Sequence, residues 1–191
     1  MLKDKVILGI DPGTNLMGYG IIHIQGNQIQ LVDFGELQLG KIDNHGLKLK
    51  QIYDCVEELI IKHQPDEVAA ESPFFGKNVQ SMLKLGRAQG VALVAALNKN
   101  LPVFEYAPRT IKQSITGNGA ASKEMVAGMI AGLLKIPEKE MPQKMDATDA
   151  LAAALCHHFQ GKTEGMKVKR SKAGSWAEFA RNNPERLKKK I

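Results

Sequence analysis

The sequence predicts an α/β protein, a mixed five-stranded sheet with helices on both faces, and three observations carry that expectation. The run Val6-Ile-Leu-Gly-Ile10 is apolar at consecutive positions, as in a central strand covered on both sides. Beyond residue 48, helical spacing alternates with short strand-like runs. A chain of 191 residues, 43% hydrophobic and 24% charged, has the length and composition to enclose one sizeable core.

Asp11-Pro12-Gly13 breaks the first strand. Tyr19 to Ile24 and Ile29 to Leu39 read as two further strands, and Gly26-Asn27 marks the turn between them, so the chain opens as an antiparallel meander. Leu49, Ile52, Val56, Leu59 and Ile60 follow helical spacing up to His63-Gln64-Pro65. Glu67 to Glu71 is a short buried strand stopped by Ser72-Pro73. Val79 to Leu97 is a long helix in which Gly86 and Gly90, four apart, permit close approach of another backbone. Pro102 to Tyr106 is the fifth strand. Val126, Met129, Ile130, Leu133 and Leu134 form a helical stripe opened by Ser122 as N-cap, and Asp146 to His158 is the last core helix.

No apolar stretch reaches the roughly 18 residues of a membrane span, and the first residues lack the apolar core and cleavage site of a signal peptide. A cytoplasmic protein without membrane partners is therefore expected. Cys55 and Cys156 fall in helix-patterned apolar segments without metal-ligand spacing, which reads as two reduced core thiols, with a structural disulfide as the alternative. Charge is unevenly placed. Residues 1–161 hold 16 Lys+Arg against 17 Asp+Glu, whereas residues 162–191 hold 10 against 3. The expected organisation is one domain over 1–161 and a basic tail over 162–191. Such a tail suits a polyanion, because Lys and Arg at phosphates release condensed counterions; a solvating tail explains its charge equally well.

Chemistry concentrates in acids that end buried elements or start a helix. Asp11 closes the first strand, Glu71 closes Val68-Ala-Ala-Glu71, and Asp146 and Asp149 open the last helix three residues apart, nearly on one face. Buried carboxylates need a partner, and a divalent cation held by oxygen ligands is one. In open α/β sheets ligands gather at the carboxyl ends of the strands, where Asp11 and Glu71 fall. Taken alone, Asp146 and Asp149 suit a helix N-terminus; beside Asp11 and Glu71 they suit a metal-dependent phosphodiester-cutting site.

Five collinear blocks resemble the RuvC family of bacterial Holliday-junction resolvases: Gly9-Ile-Asp-Pro-Gly-Thr14 with Gly18-Tyr-Gly20, Ala70-Glu-Ser-Pro-Phe-Phe-Gly-Lys-Asn78, Leu83-Lys-Leu-Gly86 with Gly90, Ala107-Pro-Arg-Thr-Ile-Lys-Gln113, and Asp146-Ala-Thr-Asp-Ala-Leu-Ala152. The likeness runs over roughly residues 5 to 160 and stops near Gly161. It implies a ribonuclease H-like fold, a homodimer, and magnesium-dependent paired incision of four-way DNA junctions beside the RuvA and RuvB branch-migration proteins. Asp11, Glu71, Asp146 and Asp149 match the family's catalytic carboxylates. Two Mg2+ ions per site are expected, with Mn2+ as a substitute. Asp11, on a stiff strand, is the candidate to bridge both ions.

Phe74 matches a family aromatic thought to contact bases near the junction centre, where stacking is worth ~1 to 3 kcal/mol per base. Phe75 reads equally as a core cap. Lys112 and Lys123 match basic family positions near the DNA backbone, and Lys77 and Arg87 are further candidate phosphate contacts; for each the bland reading is a solvated charge. His157 and His158 read as helix-end residues meeting the dipole. In the tail, Trp176, Phe179 and Ala180 have the spacing of a short amphipathic helix. Two other function classes share features. Ile10-Asp-Pro-Gly-Thr14 resembles the phosphate-binding turn of actin-like and sugar-kinase ATPases, but those need two such domains. A junction-binding protein without nuclease activity would lack one of the acids, and all four are present.

Overall fold

A computed structural model of the chain describes residues 4–72, 78–137 and 146–161. In chain order it contains β1 (Lys5–Asp11), β2 (Leu16–Gln25), β3 (Gln28–Gln38), α1 (His45–His63), β4 (Glu67–Glu71), α2 (Val79–Asn98), β5 (Val103–Tyr106), α3 (Pro108–Thr116), α4 (Lys123–Leu134) and α5 (Asp146–Gln160). The strands lie in the order β3-β2-β1-β4-β5. The β1–β2 and β2–β3 pairs are antiparallel, and the β1–β4 and β4–β5 pairs are parallel. All five expected strands are present, and the expected mixed sheet is the observed one.

Side chains alternate across a strand, and that alternation divides the core into two layers. Leu8, Ile10, Val68, Ala70 and Val103 face α1 and α2 with Ile52, Val56, Ala88, Ala92 and Ala96. Ile7, Ala69 and Phe104 face the opposite way, with Ile111, Ile115, Val126, Ile130, Leu151 and Leu155 of α3, α4 and α5. Each fully buried Leu or Ile contributes roughly 1.5–3 kcal/mol. Stability is thus drawn from both faces, and β1 is the wall they share.

The helix ends follow from local chemistry. The Asn44 side chain accepts from the Leu47 N–H at 3.1 Å and opens α1, and Asn78 accepts from the Ser81 N–H at 3.0 Å to open α2. Ser122 opens α4 as expected, accepting from the Met125 N–H at 3.2 Å. The nine-residue α3 lies outside the sequence expectation. It starts on Pro108 and buries only Ile111 and Ile115, so its apolar stripe is too short to stand out among Arg109, Lys112 and Gln113.

Three glycines of β1 and β2 let α5 lie directly on the sheet. A Cβ on Gly9 would stand 2.0 Å from the Ala150 carbonyl oxygen, one on Gly18 would stand 2.0 Å from that of Asp146, and one on Gly20 would meet the Leu151 side chain at 2.5 Å. Small residues on both sides make this contact: Ala147, Ala150, Ala153 and Ala154 are fully buried. By contrast, among the described residues no atom lies within 4 Å of the missing Cβ positions of Gly86 and Gly90 of α2.

The C-terminal end of α5 corrects the reading of His157. This residue does not cap a dipole at the surface; it is buried, with Nε2 2.5 Å from Glu67 Oε2 and Nδ1 2.7 Å from the Tyr106 hydroxyl. Lys5 donates to the same Glu67 oxygen at 2.8 Å, and the Phe104 ring lies 4.1 Å from the imidazole. Although burial disfavours its charge, the hydrogen bonds from Lys5 and His157 hold the Glu67 carboxyl below its ordinary value. Cys156 is buried and Cys55 half-buried, and burial pushes the Cys55 thiol up to about 11. Among the described residues no helix is long and apolar enough to cross a membrane. The expectations for Trp176, Phe179 and the rest of 162–191 lie outside the described residues.

Candidate active site

Register brings the first two acids together. β1 pairs Ile10 with Ala70 of parallel β4, so Asp11 and Glu71 are the next residues of adjacent strands. Ile10 and Ala70 enter the α1/α2 core, so alternation turns Asp11 and Glu71 toward α5. On the other side Asp11 pairs with Gly18, the glycine against which the Asp146 backbone rests. The first turn of α5 is thereby seated beside the end of β1. Asp146 and Asp149 both lie in that turn.

Electrostatics report the same convergence. Burial, then the charges of Glu71, Asp149 and Asp146, push the Asp11 carboxyl from 3.8 up to about 8, against the opposing pull of Lys123. Burial and Asp149 likewise push Glu71 up to about 7, while Lys123 and Lys112 draw it down. Shifts of this size come first from burial and then from neighbouring acids with too little positive charge beside them. Lys123 Nζ contacts Asp149 Oδ2 at 2.5 Å. Its own ionisation is raised: burial opposes the ammonium, but Asp149, Asp11 and Asp146 outweigh it.

Beside the acids lies a cavity of about 370 Å³ with an apolar floor of Pro108, Ile111, Val126 and Ala152 and a rim of Glu71, Asp149, Lys112 and Lys123. α3 supplies Lys112 and α4 supplies Lys123, so the helix absent from the sequence reading positions one of its predicted lysines. Arg87 stands elsewhere. It is exposed on α2 and, with Lys84 and Lys48, adds to the burial that holds the His45 imidazole below its ordinary value. Lys48 in turn donates to the Thr14 carbonyl at 2.9 Å, in the β1–β2 turn. Lys48 and Lys84 escaped the sequence reading because lone lysines on helices carry no distinguishing pattern. Phe74, Phe75 and Lys77 lie outside the described residues.

The four acids fit hard divalent cations, since their donors are all carboxylate oxygens, and the raised proton affinities of Asp11 and Glu71 come from burial beside neighbouring acids. Among the described residues, no three His, Cys, Asp or Glu side chains are already arranged to hold one ion.

A mixed sheet of this order with acids at the ends of its first and fourth strands and on its last helix defines a protein of the ribonuclease H-like nuclease class. The sequence profile described as Crossover junction endodeoxyribonuclease RuvC matches residues 7–157. A crossover junction endodeoxyribonuclease RuvC of Porphyromonas gingivalis is 53% identical over 186 residues, 97% of this chain and 98% of that protein. The Thermus thermophilus RuvC structure is 34% identical, with a TM-score of 0.72 over 81% of this chain and 93% of that one. T. thermophilus RuvC in complex with Holliday junction substrate is also 34% identical and gives 0.76 over 82% and 94%. The chain belongs to the RuvC family of crossover junction endodeoxyribonucleases.

Proposed function

We infer that this chain is a structure-specific endodeoxyribonuclease that resolves four-way DNA junctions by metal-dependent paired incision of opposed strands, in recombination and repair. The observation that carries the reading is the placement of Asp11 and Glu71 at the ends of adjacent strands beside the first turn of α5, which holds Asp146 and Asp149; burial and these neighbouring acids push the Asp11 carboxyl up. Asp11, Glu71, Asp146 and Asp149 would hold two Mg2+ ions, or Mn2+ in their place. When bound, the ions would lower the pKa of a water for in-line attack on the phosphodiester and stabilise the leaving oxygen.

The residues around the acids bind and orient the strand. Lys112 and Lys123, on the rim of the cavity, neutralise the phosphates entering it, and the apolar floor keeps the reacting end of the site dry. Arg87, with Lys48 and Lys84, meets backbone phosphate further along the surface, and Lys77 adds another contact. Phe74 stacks on a base at the junction centre. No histidine is required as a base.

Two coordinated cuts on a two-fold junction call for two equivalent sites, which an isologous homodimer supplies. The exposed side of α2 supports that arrangement: Val79, Leu83 and Val94 are more than half exposed, and Gly86 and Gly90 leave room for a second backbone. Residues 162–191 form a basic tail beyond the nuclease domain of 1–161 and add electrostatic affinity for DNA. The P. gingivalis match takes in most of that tail. RuvA and RuvB are the partner proteins, and the compartment is the cytoplasm.

The test is nicking of a synthetic four-way junction in Mg2+ with EDTA as control. The protein is expected to cut opposed strands symmetrically in Mg2+ alone. Asp11→Asn, Glu71→Gln, Asp146→Asn and Asp149→Asn are each expected to lose incision while still binding the junction. Substantial cutting by Asp11→Asn in Mg2+ refutes the assignment.

A further inference from the structure

We propose that Lys123 stands in for a divalent cation at Asp149 in the metal-free protein and is exchanged for it, passing to DNA phosphate, so that one side chain couples metal binding to junction binding. The inference rests on the functional reading above and adds to it a competition that the acids alone do not imply.

Four observations carry it. Lys123 Nζ lies 2.5 Å from Asp149 Oδ2, so an ion coordinated through that oxygen and the ammonium compete for one atom. The Asp149 side chain is 16% exposed and that of Lys123 58%, so the acid is held while the lysine reaches in from solvent on a flexible stem. Lys123 is also the first residue of α4, where the positive end of the helix dipole disfavours a cation. Its position is set by the acids opposite, not by its own helix. Finally, Lys123 is on the rim of the cavity beside Glu71, within a side-chain swing of any phosphate presented there.

The consequence is a linkage. Metal entering at Asp149 frees an ammonium for phosphate, and phosphate that draws the ammonium away clears Asp149 for metal. Each ligand therefore raises the affinity for the other by the same factor. Lys112 separates this effect from bulk charge, because it also carries a positive charge on the same rim and acts on Glu71.

The experiment measures Mn2+ affinity by electron paramagnetic resonance of the free ion. Wild type, Lys123→Gln and Lys112→Gln are each compared with and without a four-way junction bearing non-hydrolysable linkages at the cut positions. Lys123→Gln is expected to bind Mn2+ roughly threefold or more tightly than Lys112→Gln without DNA, the scale of a half-exposed ion pair. The junction is expected to tighten Mn2+ binding in wild type and Lys112→Gln, and this enhancement to shrink at least about threefold in Lys123→Gln. Equal tightening by the two substitutions, or an undiminished junction effect in Lys123→Gln, overturns the exchange. An Asp11→Asn protein that binds Mn2+ as well as wild type overturns the metal assignment beneath it, a failure distinguishable from the first two.

Discussion

Replacing Asp11 by Asn should make the metal-free protein more stable while removing its activity. Burial, Glu71, Asp149 and Asp146 raise the Asp11 carboxyl from 3.8 to about 8, so the folded chain keeps a proton that the unfolded chain releases. The sign follows directly: between about pH 4 and pH 8 the folded state binds more protons than the unfolded state, and its stability falls as pH rises. Each tenfold change in proton affinity is worth about 1.4 kcal/mol, which bounds the cost of ionised Asp11 at roughly 6 kcal/mol above pH 8. Residual solvent contact and relaxation around the carboxylate reduce this, and ~2 kcal/mol is expected. Urea denaturation in EDTA at pH 5 and pH 8 checks it. Wild type should lose stability between the two, while Asp11→Asn should lose less and unfold at higher urea at pH 8. In a chain of this size ~2 kcal/mol corresponds to about 4–8 °C in melting temperature. Saturating Mg2+ should then narrow or reverse the gap, because a ligand that binds only the folded state stabilises it in proportion to RT ln(1 + [L]/Kd). An Asp11→Asn protein that is no more stable than wild type at pH 8 in EDTA refutes the reasoning, since the acids would then not be in mutual repulsion.

Other consequences follow from the packing and the charge. Gly18→Ala places a Cβ 2.0 Å from the Asp146 carbonyl oxygen, so α5 must lift; a loss of about 1–3 kcal/mol in urea and a larger proportional loss of nicking are expected. His157→Phe leaves Glu67 with Lys5 alone and should cost about 2–3 kcal/mol, read by thermal melting. Phe74→Ala should slow cleavage far more than it lowers the melting temperature; matched losses of both would place that ring in the core. Truncation after Gly161 should weaken junction binding and flatten its dependence on salt while saturating protein still cuts, because residues 162–191 carry the positive excess. Unchanged affinity and an unchanged salt slope would assign the tail to a protein partner or to the body.

What the sequence made legible is what period and burial encode. Val6 to Ile10 announced a strand covered on both faces because no position in it is polar, and Leu8 and Ile7 do enter opposite cores. The acids stood out because they end such runs. α3 did not stand out, since its two buried isoleucines, four residues apart, make a stripe only one turn long. His157 was misread for a related reason: its partner Glu67 is 90 residues away, and no local pattern distinguishes a histidine that meets solvent from one that meets a buried carboxylate. The Lys123–Asp149 contact, 26 residues apart, was equally hidden. Glycine spacing pointed to close approach in α2, yet among the described residues it is Gly9 and Gly18 of the sheet that receive the backbone of α5, where a strand pattern gives them no period of their own.

The position of the acids follows from two lengths that agree. β4 carries Glu67 at one end and Glu71 at the other, and four strand steps advance roughly 13 Å. α5 is tied to Glu67 through His157, and eight helical steps back from His157 advance about 12 Å, which brings Asp149 level with Glu71. Asp149 is accordingly the acid whose charge acts on Glu71. Three further residues, nearly one turn, carry Asp146 past Glu71 to the end of β2, where Gly18 receives its backbone opposite Asp11. Eleven residues also make close to three whole turns, so His157 and Asp146 share the face that α5 turns to the sheet. The buried Lys5–Glu67–His157 group, remote from the chemistry, thus fixes both the height and the rotation of the helix. The glycines of β1 and β2 fix its distance, and together these three constraints seat the first turn of α5 beside the ends of β1 and β4.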